Sequence, residues 1–269
     1  MPSGFEGAIF DVDGVLVDSP HERAWRESLR ELMEGDWRGI RDQTSWAPER
    51  FTPQVYEQIM SGKPRMTGAR AALDYFNVPD ADSRLGAYAD LKQSTVIRMI
   101  EAGEFEAYPD ALRFILAVRA VGIRVAAASS SKNARLFLRQ IRLDTFAEAQ
   151  GRSYDFVTPG LSLLALFDAD VSGRDFAHGK PDPEIFLTAA AELGAAPQRC
   201  FVIEDAVSGI QAAKAGGMAA LGVARSDDAE MLARASADLV VTSLDDVDVE
   251  RLGNGALAAR PGSNVPRLM

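Results

Sequence analysis

A short stretch near the start of the chain, residues 7–19, constrains everything that follows. Its apolar run, residues 8–10, predicts a buried strand that leads directly into Asp11, Asp13 and then Gly14. Open α/β sheets keep their ligand crevice at the carboxyl ends of strands, where this order places both acids. Two carboxylates separated by one residue, beside a glycine that permits a sharp turn, suit Mg²⁺ binding and nucleophilic attack on phosphorus. Because Asp and Gly also form ordinary turns, the motif alone is only suggestive.

Composition limits the classes of protein to which the chain can belong. Its 269 residues can bury a sizeable core, and 47% hydrophobic with 25% charged residues is typical of a soluble globular protein. The net charge of -10 argues against general binding to nucleic acid or to anionic membranes. The single cysteine, Cys200, excludes an internal disulfide framework and a cysteine-rich zinc site. With no long apolar run and no signal-peptide pattern, we expect a cytoplasmic protein, and we favour a monomer.

Strand and helix patterns alternate along the second part of the chain. The predicted strands are residues 124–128, 168–172, 200–203, 219–223 and 239–241, and the predicted helices are residues 109–121, 132–141, 183–193, 207–215 and 229–235. Such alternation implies right-handed crossovers and a mostly parallel sheet. The sequence therefore predicts a Rossmann-like α/β core.

Only helical patterns occur between the first strand and about residue 106. They cover residues 20–33, 53–60, 68–76 and 82–101. Ser19 fits an N-cap, with Pro20 at the first helical position. The predicted organisation is a core of residues 1–18 and 107–252, an inserted all-helical domain of residues 19–106, and a disordered tail of residues 253–269.

Polar groups of complementary chemistry follow several predicted strands. They are Asp11 and Asp13 after the first strand, Ser129 after the second, Lys180 in the loop HGKPDP, and Glu204 with Asp205 after a later strand. Each has a simpler interpretation, since the serine could cap a helix, the lysine could lie on the surface, and the last two acids could cap a helix start. Because the carboxyl ends of parallel strands meet at one sheet edge, the combination favours a common site.

Four motifs extend this interpretation to a family. DVDGV, ASSSKN, GKPDPEIF and VIEDAVSGIQAAKAGG resemble the motifs of the haloacid dehalogenase-like phosphatase superfamily, in the expected order and rough spacing. The motif sequences are most similar to those of the β-phosphoglucomutase-like branch, and the resemblance covers residues 7–223. Dehalogenases proper lack the second Asp of DxDG, so Asp13 indicates phosphoryl rather than halide chemistry.

The resemblance implies roles for the acids. Asp11 would be the nucleophile that forms an aspartyl phosphate, and its carboxylate would also bind Mg²⁺. Asp13 would be the general acid and base, with its backbone carbonyl reaching the metal. Glu204 and Asp205 would hold the Mg²⁺ ion directly or through water, because hard cations prefer oxygen ligands.

The resemblance also implies contacts to the phosphoryl group. Ser129 and Lys180 would bind the oxygens of the transferring group and offset charge in the transition state. Ser131, Lys132 and Asn133 precede a predicted helix, where backbone N–H groups also favour phosphate.

The helical insert resembles the C1-type cap of the family, which closes over the core site and selects substrate. His21 in HERAW resembles the cap histidine that precedes Ala-Trp in β-phosphoglucomutases. Arg65 lies where the family has an arginine for the substrate's non-transferring phosphate, a group that a guanidinium can clamp through two hydrogen bonds. Lys92 falls at a cap lysine position. The alternatives are a polar residue near the hinge for His21 and an exposed helix charge for Lys92.

Two departures from the family pattern leave the substrate open. The linker between Asp18 and His21 is shorter, and the stretch between Asn133 and Lys180 is longer. We favour a Mg²⁺-dependent phosphatase that acts on a small phosphorylated metabolite, expected to be a sugar phosphate. A β-phosphoglucomutase-like mutase is the close alternative, which Arg65 favours, and a non-catalytic phosphosugar-binding protein is the third.

Overall fold

The computed structural model describes residues 4–60 and 63–263, which belong to two compact units. The core unit contains the residues up to Asp18 and from Glu106 onward, and the helical unit is Ser19–Phe105. The sequence places the second boundary one residue later. Glu106 belongs to the core unit because it pairs with Asp18 in a short antiparallel ladder.

The core unit is built on a parallel sheet. In the described part of the chain the strands are β1 (Gly7–Phe10), β2 (Val17–Asp18), β3 (Glu106–Ala107), β4 (Arg124–Ala127), β5 (Ala169–Asp170), β6 (Cys200–Glu204), β7 (Ala219–Val223) and β8 (Leu239–Val241). Six of these described strands form one sheet in the order β5-β4-β1-β6-β7-β8, and every pairing within it is parallel. The predicted Rossmann-like core is therefore confirmed. The central strand, β1, is buried along its whole length.

The helical unit contains α1 (His21–Glu34), α2 (Pro53–Ile59), α3 (Arg65–Tyr75) and α4 (Ala81–Glu101), with 3₁₀ turns at Arg38–Gln43 and Pro48–Arg50. The apolar stripe of α1 is buried, as its spacing predicts. Trp25 on that stripe packs edge-on against Tyr88 of α4 at 5.1 Å between ring centroids, and the Tyr88 hydroxyl donates to the Trp25 carbonyl at 3.0 Å. The core of this unit therefore contains a buried aromatic pair that is also joined by a hydrogen bond.

The start of α1 differs from the prediction. The N-cap is Pro20 rather than Ser19, and it makes no side-chain capping bond. Pro20 takes this position because its carbonyl accepts the first helical hydrogen bond, from the N–H of Ala24 at 2.8 Å. The helix consequently begins at His21.

Helices cover the sheet of the core unit. They are α5 (Pro109–Ala120), α6 (Ala134–Gln140), α7 (Leu143–Ala149), α8 (Leu163–Leu166), α9 (Glu184–Leu193), α10 (Val207–Ala215), α11 (Ala229–Arg234) and α12 (Val249–Leu252), with 3₁₀ turns at Pro197–Arg199 and Leu244–Asp246. Phe186 of α9 packs in one apolar cluster with Ile9 and Val202 of the sheet. Among the described residues, we find no helix long and apolar enough to cross a membrane.

The segment after α12, for which the sequence predicts a disordered tail, forms backbone hydrogen bonds with the core unit as far as the structure describes it. The N–H of Asp248 donates to the carbonyl of Ala258 at 2.8 Å, and the N–H of Arg260 donates to the carbonyl of Asp246 at 2.7 Å. These backbone bonds join the segment to the core unit without requiring apolar periodicity, and the disorder of the tail stays a prediction. Residues 264–269 lie outside the described residues.

Candidate active site

The register of the sheet brings three strand ends to the same level. Phe10, the last residue of β1, is paired with the last residue of β4 and with the fourth residue of β6. Asp11 follows β1 directly, Ser129 comes two residues after β4, and Glu204 ends β6. The parallel register of the strands therefore brings Asp11, Ser129 and Glu204 to one edge of the sheet, as expected.

Lys180 reaches this edge from the loop before α9. Its Nζ lies 2.5 Å from Asp11 Oδ1 and 2.5 Å from Glu204 Oε1, and only 11% of its side chain is exposed. The ammonium group also lies 4.9 Å from the ring centroid of Phe186. The alternative of a surface lysine before a proline turn is therefore wrong.

Glu204 is 1% exposed, and both of its carboxylate oxygens have donors. Oε1 accepts from Lys180, and Oε2 accepts from the backbone N–H groups of Asp205 and Ala206 at 3.0 Å each. If Glu204 capped α10, its carboxylate would accept from N–H groups of the first helical turn. The two N–H groups that it binds instead belong to residues before α10, which begins at Val207. A Cβ at Gly209 would overlap the Glu204 carboxylate, so glycine makes room for it. Sequence reasoning missed Gly209, although it lies inside one of the four motifs.

Asp205 lies against the turn that follows Asp13. Gly14 in that turn has a φ of +80°, and a Cβ there would overlap the Asp205 carboxylate. Gly14 is therefore required both for its backbone conformation and for the close approach. Burial raises the pKa of Asp205 well above its usual value, and the neighbouring carboxylates of Glu204 and Asp11 add to this effect.

Asp13 and Ser129 meet across the site. The Ser129 hydroxyl donates to Asp13 Oδ2 at 3.4 Å and accepts from the N–H of Ser131 at 3.0 Å. The Ser129 N–H donates to the hydroxyl of Ser172 at 3.3 Å. These bonds hold Ser129 in a local turn, and it does not cap α6, whose N-cap is Asn133.

The site contains more acidic than basic side chains. Burial raises the pKa of Asp11 further than the Lys180 ammonium lowers it, and the carboxylates of Glu204 and Asp13 raise it again. Burial alone would lower the pKa of Lys180, but the Asp11 and Glu204 carboxylates hold it above its ordinary value. The site therefore combines one ammonium group with four acidic side chains, Asp205 being the fourth, and the raised pKa values of Asp11 and Asp205 reflect this surplus of buried acid.

The donor set fits a hard divalent cation by its chemistry. Within residues 4–60 and 63–263, no three His, Cys, Asp or Glu side chains already stand around one point as a metal shell. The ammonium of Lys180 instead lies between two of the acids. The carboxylate oxygens are nevertheless the ligands that Mg²⁺ prefers, and a divalent cation would favour the ionised forms of these acids.

The three residues before α6 are arranged as a turn. The N–H of Asn133 donates to the Ser131 hydroxyl at 3.3 Å, and Asn133 is buried. Lys132 points to another loop, where its Nζ donates to the Gly173 carbonyl at 2.9 Å and to Asp175 at 2.5 Å. The structure thus places Lys132 in an exposed ion pair, while Ser131 stays in contact with Ser129.

The cap residues can be described within the helical unit. Lys92 is 6% exposed, and its Nζ lies 3.4 Å from His21 Nδ1 and 4.9 Å from the Trp25 ring centroid. The alternative of an exposed helix charge is therefore wrong for Lys92. Arg65, at the first position of α3, is exposed and lies 3.9 Å from Asp90 in a loose ion pair.

Comparison with known proteins identifies the class to which this fold and site belong. Residues 5–217 match the family model described as haloacid dehalogenase-like hydrolase. The chain is 30% identical over 260 residues to the β-phosphoglucomutase of Mycobacterium bovis, covering 91% of this chain and 92% of the relative. It is 28% identical over 256 residues to hexitol phosphatase A of Escherichia coli strain K12, covering 93% and 96%.

A solved structure agrees with these relatives. The archaeal β-phosphoglucomutase from Pyrococcus sp. strain ST 04 superimposes with a TM-score of 0.65 at 32% identity, over 91% of this chain and 96% of that one. The chain belongs to the haloacid dehalogenase-like hydrolases. Within that family it falls in the β-phosphoglucomutase-like branch, and it is an enzyme of the phosphatase or phosphomutase type.

Proposed function

We propose that this enzyme is a Mg²⁺-dependent phosphatase that hydrolyses a small sugar phosphate through a phosphoryl group carried on Asp11. The observation that supports this proposal most directly is the contact of Lys180 with both Asp11 and Glu204 at the carboxyl end of the sheet. The Lys180 ammonium opposes the rise in the pKa of Asp11 that burial causes, and it thereby supports the ionised form of Asp11, which is the form that can attack phosphorus.

The chemistry divides between the two acids of the first turn. A carboxylate oxygen of Asp11 would bond to phosphorus while the bond from phosphorus to the sugar oxygen breaks, and Asp13 would donate its proton to that leaving oxygen. Asp13, now ionised, would accept a proton from the water that attacks the aspartyl phosphate. Phosphate would leave, and Asp11 would be restored.

Other side chains would bind the transferring group. Lys180 would donate to the phosphoryl oxygens as charge develops on them, and the Ser129 hydroxyl would do the same from the Asp13 side. Ser131, Lys132 and Asn133 would contribute further donors before α6. This role requires Lys132 to leave Asp175, which is feasible because the pair is exposed.

A Mg²⁺ ion would be held by the carboxylates of Asp11, Glu204 and Asp205 and by the backbone carbonyl of Asp13. When bound, it would polarise the phosphoryl group and neutralise its charge. The surplus of buried acid at this edge is the feature that supports a divalent cation.

The substrate class rests on the relatives. A β-phosphoglucomutase and a hexitol phosphatase are named for phosphorylated sugars and sugar alcohols, and both align with nearly the whole chain. We propose that His21, Arg65 and Lys92 contact the part of the substrate that does not react. The exposure of Arg65 leaves its guanidinium accessible to a second phosphate.

The proposal is tested by phosphate release from a panel of sugar phosphates, measured with Mg²⁺ and with excess EDTA. We expect Mg²⁺-dependent release that falls about a thousandfold or more in Asp11→Asn. Asp245→Asn is the matched control, because this carboxylate forms an ion pair with Arg113 away from the site. Turnover that persists in Asp11→Asn would disprove the nucleophile, and the absence of turnover with every sugar phosphate would favour the non-catalytic binding protein.

A phosphomutase is the alternative that the relatives favour, because a β-phosphoglucomutase aligns over 91% of the chain. The two activities are separated with β-glucose 1-phosphate and glucose 1,6-bisphosphate as primer. Steady release of inorganic phosphate supports the phosphatase. Conversion to glucose 6-phosphate without net phosphate release supports the mutase.

A further inference from the structure

Arg225, two residues after the end of β7, binds the backbone of the turn that carries Asp13. Its Nε donates to the Gly14 carbonyl at 3.1 Å, and its Nη2 donates to the Val15 carbonyl at 3.0 Å. Only 16% of the Arg225 side chain is exposed. One guanidinium group therefore holds two successive carbonyls immediately after Asp13.

The same guanidinium is fixed from its other side. Nη1 donates to Asp110 Oδ2 at 2.9 Å, and the group lies 3.8 Å from the ring centroid of Tyr108. Tyr108 is itself joined to the turn, since its N–H donates to the Leu16 carbonyl at 3.0 Å. Burial opposes ionisation of Asp110, but hydrogen bonds from Arg225 and from the N–H of Leu244 lower the pKa of Asp110 below its usual value. Arg225 thus has a charged partner that is anchored independently of the turn.

Hydrogen bonds within the turn define its conformation, but contacts to other elements are required to hold it in position relative to the sheet. The N–H groups of Leu16 and Val17 donate to the Val12 carbonyl at 2.9 and 3.0 Å, and the Gly14 N–H donates to the Val17 carbonyl at 2.8 Å. These bonds define the shape of the turn. The bonds from Arg225 relate that shape to α5 and to the end of β7.

We propose that Arg225 is a positioning residue that sets the location of Asp13, an inference that rests on the proposed acid and base role of Asp13. The planar fork of arginine can bind the two carbonyls and the Asp110 carboxylate at once. A lysine has the charge but not this fixed geometry, so Arg225→Lys should restore only part of the function.

The test compares Arg225→Gln and Arg225→Lys with a matched control, Arg113→Gln. Arg113 is in the same unit, is 27% exposed, and makes a two-bond ion pair with Asp245 at 2.9 and 2.6 Å. Each variant is assayed for kcat and KM with the best sugar phosphate, and hydrogen exchange is followed in the peptide spanning residues 12–18. The exchange measurement needs no turnover, so it tests the positioning contact even if the proposed function fails.

We expect Arg225→Gln to lower kcat by about 10- to 100-fold with KM changed less than about threefold, because displacement of a reacting group by about 1 Å has this effect. Exchange in residues 12–18 should accelerate at least tenfold, Arg225→Lys should be intermediate, and Arg113→Gln should change neither. Unchanged exchange in residues 12–18 for both Arg225 variants would overturn the proposal. So would equal losses of kcat in Arg225→Gln and Arg113→Gln.

Discussion

The ammonium group of Lys180 lies between two carboxylates at a place from which water is largely excluded. Removing one member of such a buried arrangement leaves charge without a partner, which costs more than the pair itself contributes. We therefore expect stability and activity to be sensitive to small added groups near these carboxylates. Gly14 and Gly209 are the two positions where a single methyl group would reach a carboxylate of the site.

Gly209→Ala tests this sensitivity. The added methyl would push against the Glu204 carboxylate, which Lys180 and two backbone N–H groups hold in place. We expect a loss of about 1 to 3 kcal/mol in the free energy of unfolding and a fall in kcat of at least about tenfold. Urea denaturation and steady-state kinetics measure the two effects.

Gly86→Ala is the control for that substitution. Gly86 is also helical, and a Cβ at this position would meet no atom within 4 Å. Alanine there should leave kcat unchanged and stabilise α4 by up to about 1 kcal/mol. If Gly209→Ala behaves like Gly86→Ala, the close packing around Glu204 has no functional consequence.

At the scale of elements, Asp110 joins α5 to the segment after β8. Its Oδ2 accepts from the N–H of Leu244 at 2.8 Å and from the Ser243 hydroxyl at 3.3 Å, in addition to Arg225. The 3₁₀ turn Leu244–Asp246 is thus attached to the start of α5 by a charged side chain rather than by apolar packing alone.

This attachment predicts a pH-dependent stability. Because the pKa of Asp110 is lower in the folded state than its ordinary value of 3.8, the unfolded chain binds the proton more readily. The contribution is complete above about pH 5 and is lost as the pH falls through the folded-state pKa. Asp110→Asn should therefore cost about 1 to 3 kcal/mol near pH 6, and this difference from the parent protein should shrink below about pH 4.

Urea denaturation of both proteins at several pH values measures the Asp110 contribution. A difference that stays constant between pH 6 and pH 3.5 would show that Asp110 contributes by packing and not by its charge.

The elements also show what the sequence could and could not predict. The strands and their parallel order follow from local apolar runs and from the alternation with helices, so the edge that carries Asp11, Ser129 and Glu204 was predictable. Arg225 was not, because its contacts to the turn cross more than two hundred residues and end on backbone carbonyls. A residue that binds main chain leaves no pattern of side-chain types. The backbone bonds of residues 253–263 likewise leave no pattern of side-chain types.

At the scale of the whole molecule, the proposed Mg²⁺ site at the sheet edge would link folding to cation binding. A ligand that binds only the folded state stabilises it by about 2.7 kcal/mol when its concentration is 100 times its Kd. For a protein of this size, saturating Mg²⁺ should raise the Tm by about 5 °C relative to EDTA. Differential scanning calorimetry measures the shift.

Two controls isolate the site in that experiment. Sodium chloride at matched ionic strength should produce a smaller shift, because screening does not replace a bound cation. Asp205→Asn should lose most of the Mg²⁺ effect. An equal rise in Tm with sodium chloride, or in Asp205→Asn, would show that the cation acts on the general charge of the protein.

The central place of β1 in the sheet has a consequence for biosynthesis. This strand comes early in the chain, but its neighbours are Arg124–Ala127 and Cys200–Glu204. During translation it can acquire its second neighbour only after about two hundred residues have left the ribosome. Asp11 is therefore synthesised 169 residues before Lys180, and the candidate site can assemble only after Glu204 has left the ribosome as well.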